Sequence, residues 1–319
     1  MYNVTIFGID LTINPVAFTL PIGENGWTIY WYGIIIALGF MLALVYGYLN
    51  AKRLSLDIDR VLDVVLVATP VAILGARTYY VIFDGEKISS ISEFFGFNGS
   101  GISGLAIYGG VIGAVVAGVI MCKIRKVKLF DLLDLASIAF LIGQGVGRWG
   151  NFFNQEAFGG PTGSTWWGMT SENVVYDFRI NGYEIDALAH PCFLYESVWC
   201  ILGAVVLHKL SKKRRFSGET SLMYCVWYGF GRTIIETMRT DSLMLGNAKV
   251  SFLLSLLLCV GAATALVLIN KNIKTKEKQA EYSDMFKDEL AAELAADAVA
   301  ETEVSDETVE ETAEDGKED

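Results

Sequence analysis

The chain has only two histidines in 319 residues, and its five cysteines show no C-x-x-C spacing. The shortage of imidazole argues against a metal centre. Cys122, Cys192, Cys200, Cys225 and Cys259 lie in or beside apolar runs, so they read as small core residues and not as a disulfide framework or zinc ribbon. Lysine and arginine are absent before Lys52. A cleavable signal peptide needs a basic leading region, so the first apolar segment is expected to stay in the mature protein. The acid cluster of the CDP-alcohol phosphotransferases is also missing, which argues against magnesium-dependent lipid chemistry. No metal or other cofactor is expected.

What the chain has is apolar surface: 53% hydrophobic residues and a mean hydropathy of +0.41. That composition points away from soluble classes and towards a membrane solvent. A formal charge of −11 disfavours a nucleic-acid partner, but it is unevenly placed. Residues 279–319 hold sixteen Asp and Glu against two Lys, whereas the rest carries 23 basic against 20 acidic groups. The membrane part is mildly basic.

A hydrocarbon core about 30 Å thick takes about 20 helical residues. Seven runs qualify: Trp27 to Leu49, Val61 to Phe83, Leu105 to Cys122, Leu132 to Trp149, Pro191 to His208, Ser221 to Met238 and Val250 to Ile269. The connections after the first, third, fifth and seventh runs carry sixteen Lys and Arg, and the opposite side carries only Lys87, Arg179 and Lys249. Basic loops stay in the cytoplasm. The expected architecture is therefore an all-α membrane protein of seven transmembrane helices, N-terminus outside and C-terminus cytoplasmic. Residues 1–270 are expected to form the seven-helix membrane domain, with a small extracytoplasmic cap at about 151–189 that has room for a hairpin at Asn181-Gly182. Residues 271–319 form an acidic cytoplasmic tail, read as disordered or loosely helical and assigned no chemistry.

Four arginines fall within or at the ends of the runs: Arg77, Arg148, Arg232 and Arg239. Each costs about 2.5 to 3.5 kcal/mol near the bilayer centre, so each needs a partner or a function. Arg77 has no acidic neighbour in sequence and says least. In the sixth run Tyr228, Arg232, Glu236 and Arg239 share one helical stripe, because offsets of 4, 8 and 11 residues return to the same face. One reading is a self-neutralising ladder that locks packing. The other gives the excess positive charge and the guanidinium fork to a phosphate. The fourth run ends with Arg148, Asn151, Asn154 and Glu156 crowded at its outer rim, behind glycines at 143, 145, 147 and 150. With Tyr32 and Tyr108 near the outer ends of their runs, polar groups from four helices share one depth in the outer leaflet. Embedded arginines also line permeation paths, so a secondary transporter of an anionic solute is the alternative; the sequence lacks the internal repeats such folds usually carry.

The run GRWGNFFNQEAFG, Gly147 to Gly159, resembles the signature GR.GNF.N.E..G of the phosphatidylglycerol:prolipoprotein diacylglyceryltransferase family. Trp31-Tyr32-Gly33, Tyr108-Gly109-Gly110, the stretch His190 to Glu196, and Tyr228-Gly229 through Arg232, Glu236 and Arg239-Thr240-Asp241 follow in the same order, over about residues 15 to 270. The resemblance implies a reaction in which phosphatidylglycerol gives its diacylglyceryl group to the thiol of a lipobox cysteine in a prolipoprotein signal peptide. It further implies catalytic roles for Tyr32, Tyr108, Asn151, Arg232 and Glu236, and phospholipid contacts from Arg148, Glu156, Gly159, Tyr228 and Arg239. Tyr108 departs from the pattern, because many members have His there. Tyrosine is a poor base at neutral pH, so proton removal is open between Tyr108, Glu236, Glu156 and water. The implied site is a bacterial plasma-membrane one.

Overall fold

A computed structural model of the chain describes residues 1–21, 26–84, 94, 104–240, 244–245 and 248–277. The expected tail lies outside the described residues beyond residue 277. Residues 1–263 form one compact unit.

The long apolar runs are helices: α1 Trp31–Ala51, α2 Ile58–Asp84, α3 Ile107–Arg125 and α4 Leu129–Asn154, then a short α5 Glu172–Asn181, then α6 Cys192–Ser211, α7 Glu219–Met238 and α8 Val250–Glu277. Among the described residues, six of these are long and apolar enough to cross a membrane; α7 is long enough but too polar to be counted with them. The apolar stretch of α1 has a mean hydropathy of 2.0 yet is only 6% buried. Such a surface in water would lose the hydrophobic term along its whole length, so lipid is its solvent.

The first expected run begins too early. Trp27–Tyr30 is strand β4, paired antiparallel with β3 Val16–Leu20, because the alternating W-T-I-Y stretch suits a ladder before the helix starts at Trp31. At its far end α1 passes through a 3-10 turn, Lys52–Leu54, and stops at Ser55 in the left-handed region. Helix α2 packs on α3 through a seam of small residues, where a Cβ on Gly109 would collide with the Gly75 carbonyl oxygen. Arg77, 4% exposed, donates to the carbonyl oxygens of Phe94 and Gly104 and lies over the Tyr80 ring, contacts that offset part of the cost of its burial. Helix α1 packs on α4, α4 on α6 and α7, and α6 on α7.

The cap draws on both the expected segment and the N-terminus. Strands β1 Tyr2–Ile6, β2 Ile9–Ile13 and β5 Met169–Ser171 form a sheet in the order β2-β1-β5. Its core joins Val4, Ile13, Met169, Val174, Phe178 and Ala189 to Phe152, Phe158 and Phe193 at the ends of α4 and α6. The expected hairpin at Asn181-Gly182 is instead the stop of α5. Ser171 caps the N-terminus by accepting the Val174 amide, Val174 and Phe178 bury one face four residues apart, and Gly182 ends the helix at φ +73°.

The opposite end of the bundle is tied by acids. Asp134, 1% exposed, accepts from Arg214, from the amides of Gly218 and Ser221 and from the Ser221 hydroxyl, and Asp131 accepts from Arg214 and Ser217. These bonds hold the α6–α7 turn onto the first two turns of α4.

Candidate active site

Glu196 stands in the second turn of α6 and is 2% exposed. An isolated carboxylate there would be prohibitively desolvated, and two arginines resolve this. Arg148 of α4 reaches its Oε1 at 2.6 Å, and Arg232 of α7 reaches its Oε2 at 2.9 Å. The Tyr228 hydroxyl donates to Oε1 at 3.3 Å. Arg232 also pairs with Glu236, one turn further along α7, at 2.7 Å.

The network continues to the rim. Arg148 donates to Asn151 Oδ1 at 3.3 Å, and the amides of Asn151 and Asn154 each donate to Glu156 at 3.3 Å. Asn151 and Asn154 belong to the last turn of α4, which runs beyond Trp149, the expected end of the run. Beyond it Gln155 and Ala157 flank Glu156 in the left-handed region, at φ +56° and +55°. Two left-handed residues reverse the chain so that the carboxylate between them faces back to the helix end. Tyr32 lies within electrostatic reach of Glu156 and Arg148, and its ring sits so close to Gly150 that a Cβ there would come within 2.8 Å of it.

Gly159 is a junction. Its amide donates to the His190 carbonyl at 2.8 Å, its backbone bridges Arg239, and an added Cβ would lie 2.5 Å from the Met238 carbonyl oxygen. Lys249 Nζ donates to the carbonyls of Glu236 and Arg239 and secures the end of α7. Burial pushes the His190 imidazole below its ordinary value.

The structure therefore brings together Asn151, Arg232, Glu236, Arg148, Glu156 and Tyr228 in one chain of hydrogen bonds and ion pairs, with Tyr32 beside it and Gly159 and the Arg239 backbone at its edge. Tyr108 is placed differently. It opens α3 and packs against Tyr79 of α2, and the hydrogen bonds of the cluster among the described residues do not include it. Glu196 adds a second acid to the pairing: Arg148 and Arg232 share it, and Arg232 also meets Glu236. Glu196 is the residue that sequence reasoning missed. The signal that marks it is its place as the only acid in its apolar run.

Two half-buried arginines that share one carboxylate present planar donor forks at fixed positions. Each guanidinium has five N–H donors; the hydrogen bonds above use two from Arg148 and one from Arg232, which also ion-pairs with Glu236. Chemically, donors fixed in this way are able to take an oxyanion with two or more acceptor oxygens.

Fold and site together define a multi-pass membrane protein with an arginine–carboxylate centre beneath a small cap. The family model for prolipoprotein diacylglyceryl transferase matches residues 15–268. The chain is 40% identical over 270 residues to phosphatidylglycerol–prolipoprotein diacylglyceryl transferase 1 of Clostridium perfringens, covering 83% of this chain and 98% of that protein. It is 42% identical to the Pediococcus pentosaceus transferase, covering 83% and 93%, and 43% identical to that of Bacillus licheniformis, covering 80% and 92%. The chain belongs to the prolipoprotein diacylglyceryl transferase family.

Proposed function

We propose that the chain transfers the diacylglyceryl group of phosphatidylglycerol to the thiol of a lipobox cysteine in a prolipoprotein signal peptide. The thiolate sulfur attacks the glycerol carbon bearing the phosphoester. The carbon–oxygen bond breaks, a thioether forms, and glycerol phosphate leaves with the bonding electrons. This is the first step of bacterial lipoprotein maturation. The observation that carries the reading is the pair Arg148 and Arg232 held against buried Glu196.

A free thiol has a pKa near 8.5, so only a few per cent is thiolate at neutral pH. Guanidinium groups beside the scissile bond neutralise the departing phosphate oxygen and favour the thiolate. Glu196 holds both forks before the lipid arrives, so little reorganisation is left for the reaction itself. Glu156, oriented by Asn151 and Asn154, and Tyr32 face the same end of the cluster; Glu156, Glu236 and Tyr108 remain the protein groups from which the base is drawn. Gly159 and the end of α7 carry Arg239 to the same rim.

Seven crossings support this chemistry better than six. Helix α7 runs antiparallel along α6, from Glu196–Arg232 through the stacked pair Trp199–Trp227, 4.4 Å between ring centroids, to the Leu207–Met223 cluster. A helix paired with a spanning helix over that length spans with it. Its polar stripe faces partners, so the composition of α7 is the mark of a site and not of a soluble element. The site then faces outside, where signal peptides emerge, residues 1–270 form the catalytic domain, and the acidic stretch from 271 to 319 is cytoplasmic.

The test is incubation of the purified protein in detergent with phosphatidylglycerol and a lipobox peptide, followed by mass spectrometry. A diacylglyceryl adduct on the cysteine and release of glycerol phosphate are expected. Intact peptide would sink the reading. Arg232→Ala is expected to lose most of the activity while the protein still inserts.

A further inference from the structure

The N-terminal hairpin lies before the region matched by the family model, which begins at residue 15. Ile6 faces Ile9 across a two-residue turn, Phe7-Gly8, with φ values of +51° and +77°. Two positive φ angles define the turn that suits the twist of a hairpin, and Asn, Asp or Gly fills its first position at least cost. A phenylalanine there is a conformational outlier, and such outliers persist only where the surroundings hold them.

The surroundings hold this one. The Phe7 amide donates to the Gly168 carbonyl at 3.0 Å, and the Phe7 ring lies 4.5 Å from the Trp167 ring. Trp167 in turn stacks on Tyr195, 5° from parallel, and its indole N–H donates to the Tyr195 hydroxyl at 2.7 Å. Tyr195 is 3.2 Å from His190 Nδ1, and a neutral imidazole can accept its proton. Tyr195 and His190 bracket the start of α6. Glu196 is the next residue along, and the His190 carbonyl holds Gly159.

We propose that Phe7 is a positioning residue: the hairpin tip presses its ring onto Trp167, which fixes Tyr195 and so the first turns of α6, from which Glu196 aligns Arg148 and Arg232. The inference rests on the transferase reading above. The strained residue is kept at the tip because a turn-favouring one would leave Trp167 without its backing.

Phe7→Asn separates this role from folding, since Asn accepts the left-handed conformation better than Phe and preserves the turn. Transfer to a lipobox peptide is measured for the parent, Phe7→Asn and Phe7→Trp in the same detergent, alongside thermal unfolding. The expected result is a kcat for Phe7→Asn lower by roughly tenfold or more, the scale of a small misplacement. The peptide KM and the unfolding temperature should hold, and Phe7→Trp should recover turnover. Parental turnover by Phe7→Asn overturns the proposal. So does a change confined to KM, which makes Phe7 a peptide contact, or an equal fall in unfolding temperature for both variants, which makes it structural. Absence of any adduct with the parent chain refutes the transferase reading instead.

Discussion

Glu196 shows why pairing across helices escapes a linear reading. Tyr228, Arg232 and Glu236 were legible because helical periodicity puts them on one stripe, and the Arg232–Glu236 bridge at 2.7 Å agrees with it. Periodicity says nothing about which neighbour meets that stripe, so the carboxylate between Arg148 and Arg232 is invisible to it. Glu196→Gln tests that role. The amide keeps the shape but not the charge, leaving two half-buried guanidiniums to repel each other across it. Transfer is expected to fall about 10²- to 10³-fold, the usual loss when a preorganised electrostatic partner is removed. Glu196→Asp should recover part of it. Unchanged transfer by Glu196→Gln would show that the shared carboxylate is incidental to the chemistry.

At the scale of elements, apolar length located the helices to within about five residues except at the end of α8, which runs on through polar residues to Glu277, and the misreadings have local causes. Trp27–Tyr30 is as apolar as a span but alternates as a strand, and Asn181-Gly182 serves as a helix stop where a turn signal was read. The cap was partly illegible because β1 and β2 reach it from the other end of the unit's sequence, and strand pairing at that separation leaves no local trace. Two substitutions test the joints between elements. Gly159→Ala must push the end of α7 from the cap loop, since its Cβ would meet the Met238 oxygen and, at 2.9 Å, Cys192 Sγ. Overpacking of this kind costs about 1–3 kcal/mol, so both the unfolding temperature in detergent and transfer should drop. Asp134→Asn acts at the far end of α4, where the carboxylate joins Arg214 to two amides. It should lower stability by about 1–3 kcal/mol through the unsatisfied partners. Transfer per folded molecule should stay at the parental level, and its loss would mean that the two ends of the bundle are coupled.

For the whole molecule, the distribution of charge and the number of crossings bear on one measurable question. Sixteen basic residues follow the odd-numbered runs and three lie on the other side, so the cap and the acidic tail are expected on opposite faces of the membrane. Between Ser164 in the cap and the tail the chain passes through α6, α7 and α8. If α7 crosses, the passages are odd in number and the two points face opposite compartments. If α7 lies outside the bilayer because of its charges, the passages are even and both points face the same side. The cost of placing Arg232 and Glu236 in lipid is reduced by their mutual bridge and by Glu196, which favours crossing. A single-cysteine variant, with Ser164→Cys introduced after the five native cysteines are replaced, should react with an impermeant maleimide added to intact cells. A cysteine placed at Ser305 in the same background should react only after lysis. Labelling of both in intact cells, or of neither, would remove α7 from the membrane and with it the depth at which Arg148, Glu196 and Arg232 meet.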